Sequence, residues 1–263
     1  MAFKKRIEDH SICDDLRLLG RVWQSNIKYT RALERARLYT RQGFAQCSRP
    51  YIAISGGKDS VAMLAIVAEV WRNEYPDKDL VAWIHVSDAS FPGTIETARE
   101  ACEKCEVPLV VDESPVSAFS VMEEGSRARF GKKGYLFSAI ENFIKSGRDA
   151  AFVGVRGPES HRRMKAVLAK GAIFETSVPA HHLKIQPISY FSVEDVAATL
   201  VRYDMPIHPI YSKIPVSGRP IRLGYVTQKD LREEGVSLFI QRNYPDLWNK
   251  LETLRPDAGQ EIR

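Results

Sequence analysis

Six consecutive residues, Ser55-Gly56-Gly57-Lys58-Asp59-Ser60, hold the means to bind a phosphate group. Two glycines let the backbone turn sharply and bring its N–H groups close to an anion. The helix expected after them adds the equivalent of about half a positive charge at its N-terminus. Ser55 and Ser60 offer hydroxyls to the same oxygens, and Lys58 offers an ammonium. A pyrophosphate fits this description. The spacing matches neither G-x-x-x-x-G-K-[ST] nor G-x-G-x-x-G, which excludes the Walker-type and dinucleotide loops. Ser-Gly-Gly alone reads equally well as a plain strand-to-helix turn with a capping serine; the complete run is far more specific.

Two other groupings carry chemistry by type. Cys102 and Cys105 have the C-x-x-C spacing of a metal site or a redox pair. No second cysteine pair or suitably spaced histidine follows them, and a spacing of three puts both on one helix face, so they are expected to be core or helix-end residues. An iron-sulfur cluster is not expected, because a four-cysteine set would have to recruit the distant Cys13 and Cys47. The adjacent His181 and His182 point in different directions from a strand entry, which disfavours a shared metal ion.

The elements that must position these groups alternate in period. Apolar positions from Leu16 to Leu38 recur at mostly helical spacing within 14–46, predicting one or two surface helices. A short β run at 51–54 leads into the glycine turn and a helix over 58–72. A second strand at 80–86, apolar except at His85, precedes a helix over 92–104 with Pro92 in its first turn. Strands follow at 108–111, 151–155 and 183–188, with helices at 135–145 and 193–202, the latter opened by Ser192 as N-cap with Glu194 and Asp195 behind it. Nearly unbroken apolar strands alternating with helices predict an α/β fold: an open, mainly parallel five-stranded sheet with helices on both faces. In such a sheet, ligands lie beyond the carboxyl ends of the strands, where the glycine turn sits. The expected organisation is an N-terminal helical segment (1–48), a nucleotide-binding domain (49–213) and a C-terminal arm (214–263) packed on the same domain, with helices near 229–241 and 247–254.

Composition agrees with this picture. The chain has 263 residues, 44% hydrophobic and 27% charged, which excludes a disordered or collagenous protein. Its net charge of +5 suits anionic ligands but is too mild to name nucleic acid by itself. The longest apolar stretch, Val61 to Trp71, is interrupted by Glu69 and falls short of the ~20 residues that span a bilayer. The first ten residues carry no apolar stretch of the secretory kind, and four cysteines confined to the first 105 residues suit a reducing compartment. A cytoplasmic protein with no membrane partner is expected.

With its neighbours in place, the Ser55–Ser60 run resembles the PP-loop of the adenine-nucleotide pyrophosphatases (adenine nucleotide alpha hydrolases). Three further segments resemble the phosphoadenosine phosphosulfate (PAPS) reductase-like family: Asp88-Ala89-Ser90-Phe91-Pro92-Gly93-Thr94 after the second strand, Gly154-Val155-Arg156-Gly157-Pro158-Glu159-Ser160-His161-Arg162-Arg163 after the fourth, and Gln186-Pro187-Ile188, Glu194-Asp195-Val196 and Pro206-Ile207-His208-Pro209-Ile210-Tyr211 beyond. The resemblance implies that Ser55, Gly56, Gly57, Lys58, Asp59 and Ser60 hold the phosphates of ATP, with Mg²⁺, or of PAPS. It places Asp88 beside them, either meeting ribose, adenine or Mg²⁺ or capping the next helix. Arg156 and Arg163 supply forked cations for phosphate or sulfate, unless they pair with Glu159; Glu159 and Ser160 complete the expected nucleotide-binding set. Lys58, Asp59, Arg156 and Arg163 are the catalytic candidates. Arg162, Lys165 and Lys170 extend the positive surface, and the basic loop with Arg127, Arg129, Lys132 and Lys133 either closes over the nucleotide, meets a larger anionic substrate or is simply solvated.

The family pattern breaks at its thiols. PAPS reductases attack with a cysteine near the C-terminus, whereas no cysteine follows Cys105 here, and Arg222-Leu223-Gly224-Tyr225-Val226 stands where many relatives carry Gly-Cys-x-x-Cys. The resemblance therefore implies first an ATP-using enzyme that adenylates an acceptor and releases pyrophosphate. The alternatives are a PAPS reductase served by an external thiol, or a non-catalytic nucleotide-binding component of a sulfur or nucleic-acid modification complex. The acceptor is open between nucleic acid and a partner protein, and a homo-oligomer is compatible with the sequence.

Overall fold

A computed structural model of the chain describes residues 11–118, 120–121, 135–177, 180–214 and 234–254. The basic loop with Arg127, Arg129, Lys132 and Lys133, and the 222–226 segment, lie outside the described residues.

Six strands, β1 (Pro50–Ala53), β2 (Val81–Val86), β3 (Leu109–Glu113), β4 (Ala150–Val153), β5 (Ile173–Ser177) and β6 (Ala180–Ile185), form one sheet in the order β3-β2-β1-β4-β6-β5. All neighbours are parallel except β5 and β6. The expected count of five is therefore corrected to six, and the last parallel strand runs over 180–185 in place of 183–188. The missed strand is an antiparallel edge whose residues are only half-buried or exposed. It lacks the continuous apolar run that marks a strand covered on both faces. Pro187, which has no N–H to give a ladder, follows the true end of β6.

Helices α1 (Ile12–Trp23), α2 (Ile27–Ala45), α3 (Lys58–Glu74), α4 (Thr94–Cys105), α5 (Tyr135–Ile144), α6 (His161–Lys170), α7 (Val193–Arg202), α8 (Ile210–Lys213), α9 (Glu234–Asn243) and α10 (Pro245–Leu254), with a short 3-10 helix at Gly157–Glu159, complete the described elements. The main core lies on one face of the sheet. There Ile52, Ala82, Ile84 and Phe152 meet α3, flanked by Leu33 and Phe44 of α2, Ala98 and Ala101 of α4, and Val196 and Leu200 of α7. Nine consecutive α3 residues, Ser60 to Ala68, are buried, and so is Val70 beyond Glu69. Such a helix is held by burial all round, at about 1.5–3 kcal/mol per large apolar side chain, so its N-terminus has little freedom to move. Ser192 caps α7 as the sequence predicts, in a capping box with Asp195. The Asp195 carboxylate also accepts from the Trp23 indole at 2.9 Å, tying α7 to α1. Contact there is close enough that a Cβ on Gly20 would lie 2.3 Å from the Ala197 carbonyl oxygen.

The opposite face of the sheet is thinner. Tyr51, Trp83 and Ala151 meet Ile140, Phe143 and Ile144 of α5. A third apolar cluster joins α9 and α10, through Ile240, Trp248 and Leu251, to Phe91, Ile210 and Tyr211. This cluster backs the segment that supports the glycine turn.

His208 is central to that support. It is buried, its Nδ1 accepts from the Ile210 N–H at 3.1 Å, and its Nε2 therefore carries the proton that faces Thr94 Oγ1, also at 3.1 Å. The ring stands against Gly56 and Gly93, where a Cβ would come within 3.5 Å and 3.6 Å of it. Burial pushes its pKa down to about 4, only partly opposed by Glu96. The unfolded chain protonates this histidine near its ordinary value and the folded chain does so only near 4, so stability is retained above about pH 6.5 and lost as pH falls toward 4. In chemical denaturation at a series of pH values, His208→Asn, whose amide oxygen can still accept from Ile210, is expected to remove a loss on the order of 3 kcal/mol across that window. Equal pH slopes for the two proteins would show that His208 is not the titrating support.

Candidate functional site

The glycine turn leaves β1 and opens α3. Gly56 has φ +69°, and a Cβ there would stand 2.9 Å from the Thr94 carbonyl oxygen, so both conformation and space require glycine. Gly57, with φ −74°, is the N-cap of α3 and provides no side-chain acceptor for the first-turn N–H groups. Ser60 closes the loop from within: its hydroxyl donates to the Gly57 carbonyl at 2.9 Å and accepts the Ser55 N–H at 3.1 Å. Tyr211 braces it from outside, its hydroxyl accepting the Lys58 N–H at 3.4 Å. The α3 terminus sits tight against the end of β4, since a Cβ on Gly154 would lie 2.9 Å from Ser60 Cα.

A cavity of about 660 Å³ opens at this turn and runs back along the thin face of the sheet. Ser55, Gly57, Lys58, Asp59 and Ser60 line its mouth with Glu159, Ser160 and Arg163. Further in, the wall is Tyr51, Trp83, His85, His182 and Lys184, roofed by Leu136, Phe137 and Ile140. The volume falls within the several hundred Å³ of ordinary ligand sites, with a polar end and an apolar body.

Charge at the polar end is organised by Asp59. Its carboxylate accepts from Lys58 Nζ at 2.7 Å and from Arg156 Nε at 2.6 Å. Arg156 is buried and also donates to the Phe191 carbonyl at 3.2 Å. Of the two roles the sequence offered Arg156, a cation for phosphate or a partner of Glu159, the structure shows neither: it does not line the cavity, and it pairs with Asp59 in preference to Glu159. Arg163 does line the cavity and makes the ion pair with Glu159 that the sequence left open. Ser160 is the N-cap of α6, accepting the Arg163 N–H at 3.2 Å. Burial holds the Lys58 ammonium below its ordinary pKa, opposed by Asp59 and reinforced by Arg156 and Arg163. Lys184 is likewise depressed by burial, with Lys170 and Arg163 adding repulsion. An anion entering here would relieve both lysines, which is the electrostatic condition for binding phosphate.

Asp88 is placed elsewhere. Its carboxylate accepts from the Ser117 hydroxyl at 2.5 Å and the Ala118 N–H at 2.8 Å, and it is not among the cavity-lining residues. It caps the turn at Ala118, neither meeting the cavity nor capping α4, because that turn begins 30 residues away and only the fold brings it near. Arg162 and Lys165 are exposed on α6, and Lys170 stands over the Phe174 ring at 5.1 Å. The four thiols are buried, none lines the cavity, and burial pushes Cys102 up to about 12 and Cys105 up to about 11. The Cys102–Cys105 pair belongs to the core beside α3, as expected from its spacing. The His181 side chain lies outside the described residues. Among the described residues, no group of three or more His, Cys, Asp or Glu side chains is placed to hold a metal ion, and no helix is long and apolar enough to cross a membrane.

Sequence reasoning missed the inner wall. Its one visible signal was His85, the polar residue in an otherwise apolar strand; Tyr51, Trp83, His182 and Lys184 join it only through strand register.

Comparison with known proteins agrees with this fold. A solved FMN adenylyltransferase from Candida glabrata, in complex with FAD and inorganic pyrophosphate, has a TM-score of 0.55 at 13% identity, over 80% of this chain and 77% of that one. A phosphoadenylyl-sulfate (PAPS) reductase from Candida auris, in a phosphate complex, has a TM-score of 0.51 at 14% identity, over 66% of this chain and 82% of that one. At such identities the likeness is one of fold. A tRNA(Ile)-lysidine synthase from Actinobacillus succinogenes is 38% identical over 89 residues, 33% of this chain and 20% of that protein, so the match spans a fifth of the relative's length. These relatives are enzymes. The phosphoadenosine phosphosulfate reductase domain model matches residues 49–217, which contain the glycine turn, the Arg156–Arg163 segment and His208 with Tyr211. With that match covering well over half of the chain, on the fold and around the cavity just described, the protein belongs to the phosphoadenosine phosphosulfate reductase domain family.

Proposed function

We propose that the protein is a PP-loop enzyme that binds ATP and activates an acceptor by adenylation, releasing pyrophosphate. The observation that carries this reading is the N-terminus of α3, whose N-cap is a glycine without a capping side chain, fixed in a glycine turn and opening with Lys58 into a cavity of about 660 Å³. A buried 17-residue helix presents its positive end there. In the proposed reaction, the acceptor attacks the α-phosphorus and the bond to the bridging oxygen of the β-phosphate breaks. The first-turn N–H groups, Lys58 and Arg163 stabilise the charge that gathers on pyrophosphate, a role worth several kcal/mol when the donors are held in advance. Asp59 and Arg156 act on the loop: their ion pair keeps Lys58 aimed and the turn closed.

Mg²⁺ would bridge phosphate oxygens and neutralise them. The two carboxylates at the mouth, Asp59 and Glu159, are already paired with cations, so the nucleotide's own oxygens would carry most of its coordination. A strict PAPS reductase would need a thiolate, and all four cysteines are buried away from the cavity. The adenylation reading is therefore favoured over a reductase that uses a thiol of this chain, and a reductase served by an external thiol is the reading to be separated by assay.

Incubation with ATP or PAPS, reading pyrophosphate and thiol-dependent sulfite side by side, separates these activities. Pyrophosphate release from ATP is expected. Sulfite from PAPS would support the reductase, and nucleotide binding with neither product a non-catalytic component. Gly57→Val should melt as the wild type does, because φ −74° admits any side chain, yet lose nucleotide binding; unchanged affinity in the folded variant would remove the phosphate site from this loop. Arg163→Ala should weaken binding by about 1.5–3 kcal/mol, the scale of a hydrogen bond to a charged group, with lysine rescuing poorly. Full affinity in Arg163→Ala would leave that arginine to its pair with Glu159 alone.

A further inference from the structure

One titratable group on the cavity wall has no part in phosphate binding. His85 stands near the carboxyl end of β2, and strand pairing places it opposite Asp112 of β3. Its Nδ1 lies 3.2 Å from Asp112 Oδ2, with the imidazole only 5% exposed and the carboxylate 33% exposed. An ionised carboxylate can only accept, so this contact assigns the proton to Nδ1 and leaves a lone pair on Nε2. Among the described residues, His85 Nε2 is buried without a hydrogen-bond partner, while the ring lines the same cavity as Gly57 and Lys58. Two neighbours on that wall, Trp83 Nε1 and His182 Nε2, are buried and unpartnered as well. Buried polar atoms without partners are few in folded proteins and call for an explanation. Three along one cavity wall point to a ligand that brings polar groups of its own. The imidazole is further fixed by packing, with ring centroids 6.0 Å from Trp83 and 5.3 Å from Tyr135.

We propose that His85, oriented by Asp112, is the general base for the acceptor. The acceptor is thereby a nucleophile that carries a proton at neutral pH, a hydroxyl, amine or amide, and not a carboxylate or sulfate, which would need no base. This rests on the adenylation reading above. As the acceptor oxygen or nitrogen bonds to the α-phosphorus, its proton passes to His85 Nε2. The bond from the α-phosphorus to the bridging oxygen breaks, and pyrophosphate leaves with the electron pair. Asp112 stabilises the resulting imidazolium, which returns its proton to solvent. Asp112 is a positioning residue in this scheme and does not touch the acceptor.

The test uses the full chain with Mg-ATP and three probe nucleophiles: water, hydroxylamine and acetate. Pyrophosphate release is read beside the affinity for the non-cleavable α,β-methylene analogue of ATP. Hydroxylamine should accelerate release over water, and acetate should not. His85→Asn, which keeps an amide donor for Asp112, should lose about 100-fold or more of the rate with analogue affinity unchanged. Asp112→Asn should lose rate in the same manner, and added imidazole should restore His85→Gly. Because Asp112 is partly exposed, its variant reads the pair even if a change at His85 disturbs folding. Wild-type rates in His85→Asn, absence of imidazole rescue, or acceleration by acetate alone would overturn the base and leave adenylation standing. A wild-type protein that fails to bind the analogue, or binds it and releases no pyrophosphate with any probe, would overturn the adenylation reading and the base with it.

Discussion

The Asp59 carboxylate is the point on which the site depends. It accepts from Lys58 on one side and Arg156 on the other, and Arg156 reaches on to the Phe191 carbonyl. Three pieces of chain that share no local sequence, the glycine turn, the segment after β4 and the turn after β6, are thereby held in one arrangement. A buried arginine without its carboxylate would be strongly destabilising, about 3–5 kcal/mol when one partner of such a pair is removed. The pair therefore constrains the turn from outside its own sequence. It also leaves the mouth of the cavity positive, because Asp59 is shared between two cations, and Lys184 adds a cation on the inner wall.

That constraint works because the sheet is asymmetric. The face carrying α3 is filled by the main core, so the helix behind the turn cannot shift without opening it. The other face meets α5 with fewer residues and keeps the cavity. The turn is supported on a third side by His208 and Tyr211, themselves backed by the cluster of α9 and α10. Rigid backing and an open front suit a proposed nucleotide site whose donors must stand ready before the ligand arrives.

Much of this was legible in the residue order. The glycine turn could be read because its chemistry is local: the atoms proposed to bind phosphate come from six adjacent residues and from the helix they start. The parallel strands were legible because a strand covered on both faces must be apolar throughout. What was not legible depends on register and distance. The β5–β6 edge has a half-exposed pattern, and Asp88 meets Ser117 and Ala118 only after folding. Arg156 reads as one more cation in a basic segment; its burial follows from the position of Asp59, 97 residues earlier. The inner wall escaped for the same reason, since Tyr51, Trp83, His85 and His182 come from three strands.

Hydrogen exchange at single-residue resolution, with and without inorganic pyrophosphate, tests the central claim most directly. The N-cap residue Gly57 offers the first-turn amides of α3 no side-chain acceptor, and the proposed site gives them the anion as partner. Slowed exchange concentrated at the 56–60 amides on adding pyrophosphate is the expected result. Slowing that falls elsewhere, or none at all at concentrations that saturate binding, would contradict the assignment of the glycine turn as the phosphate site.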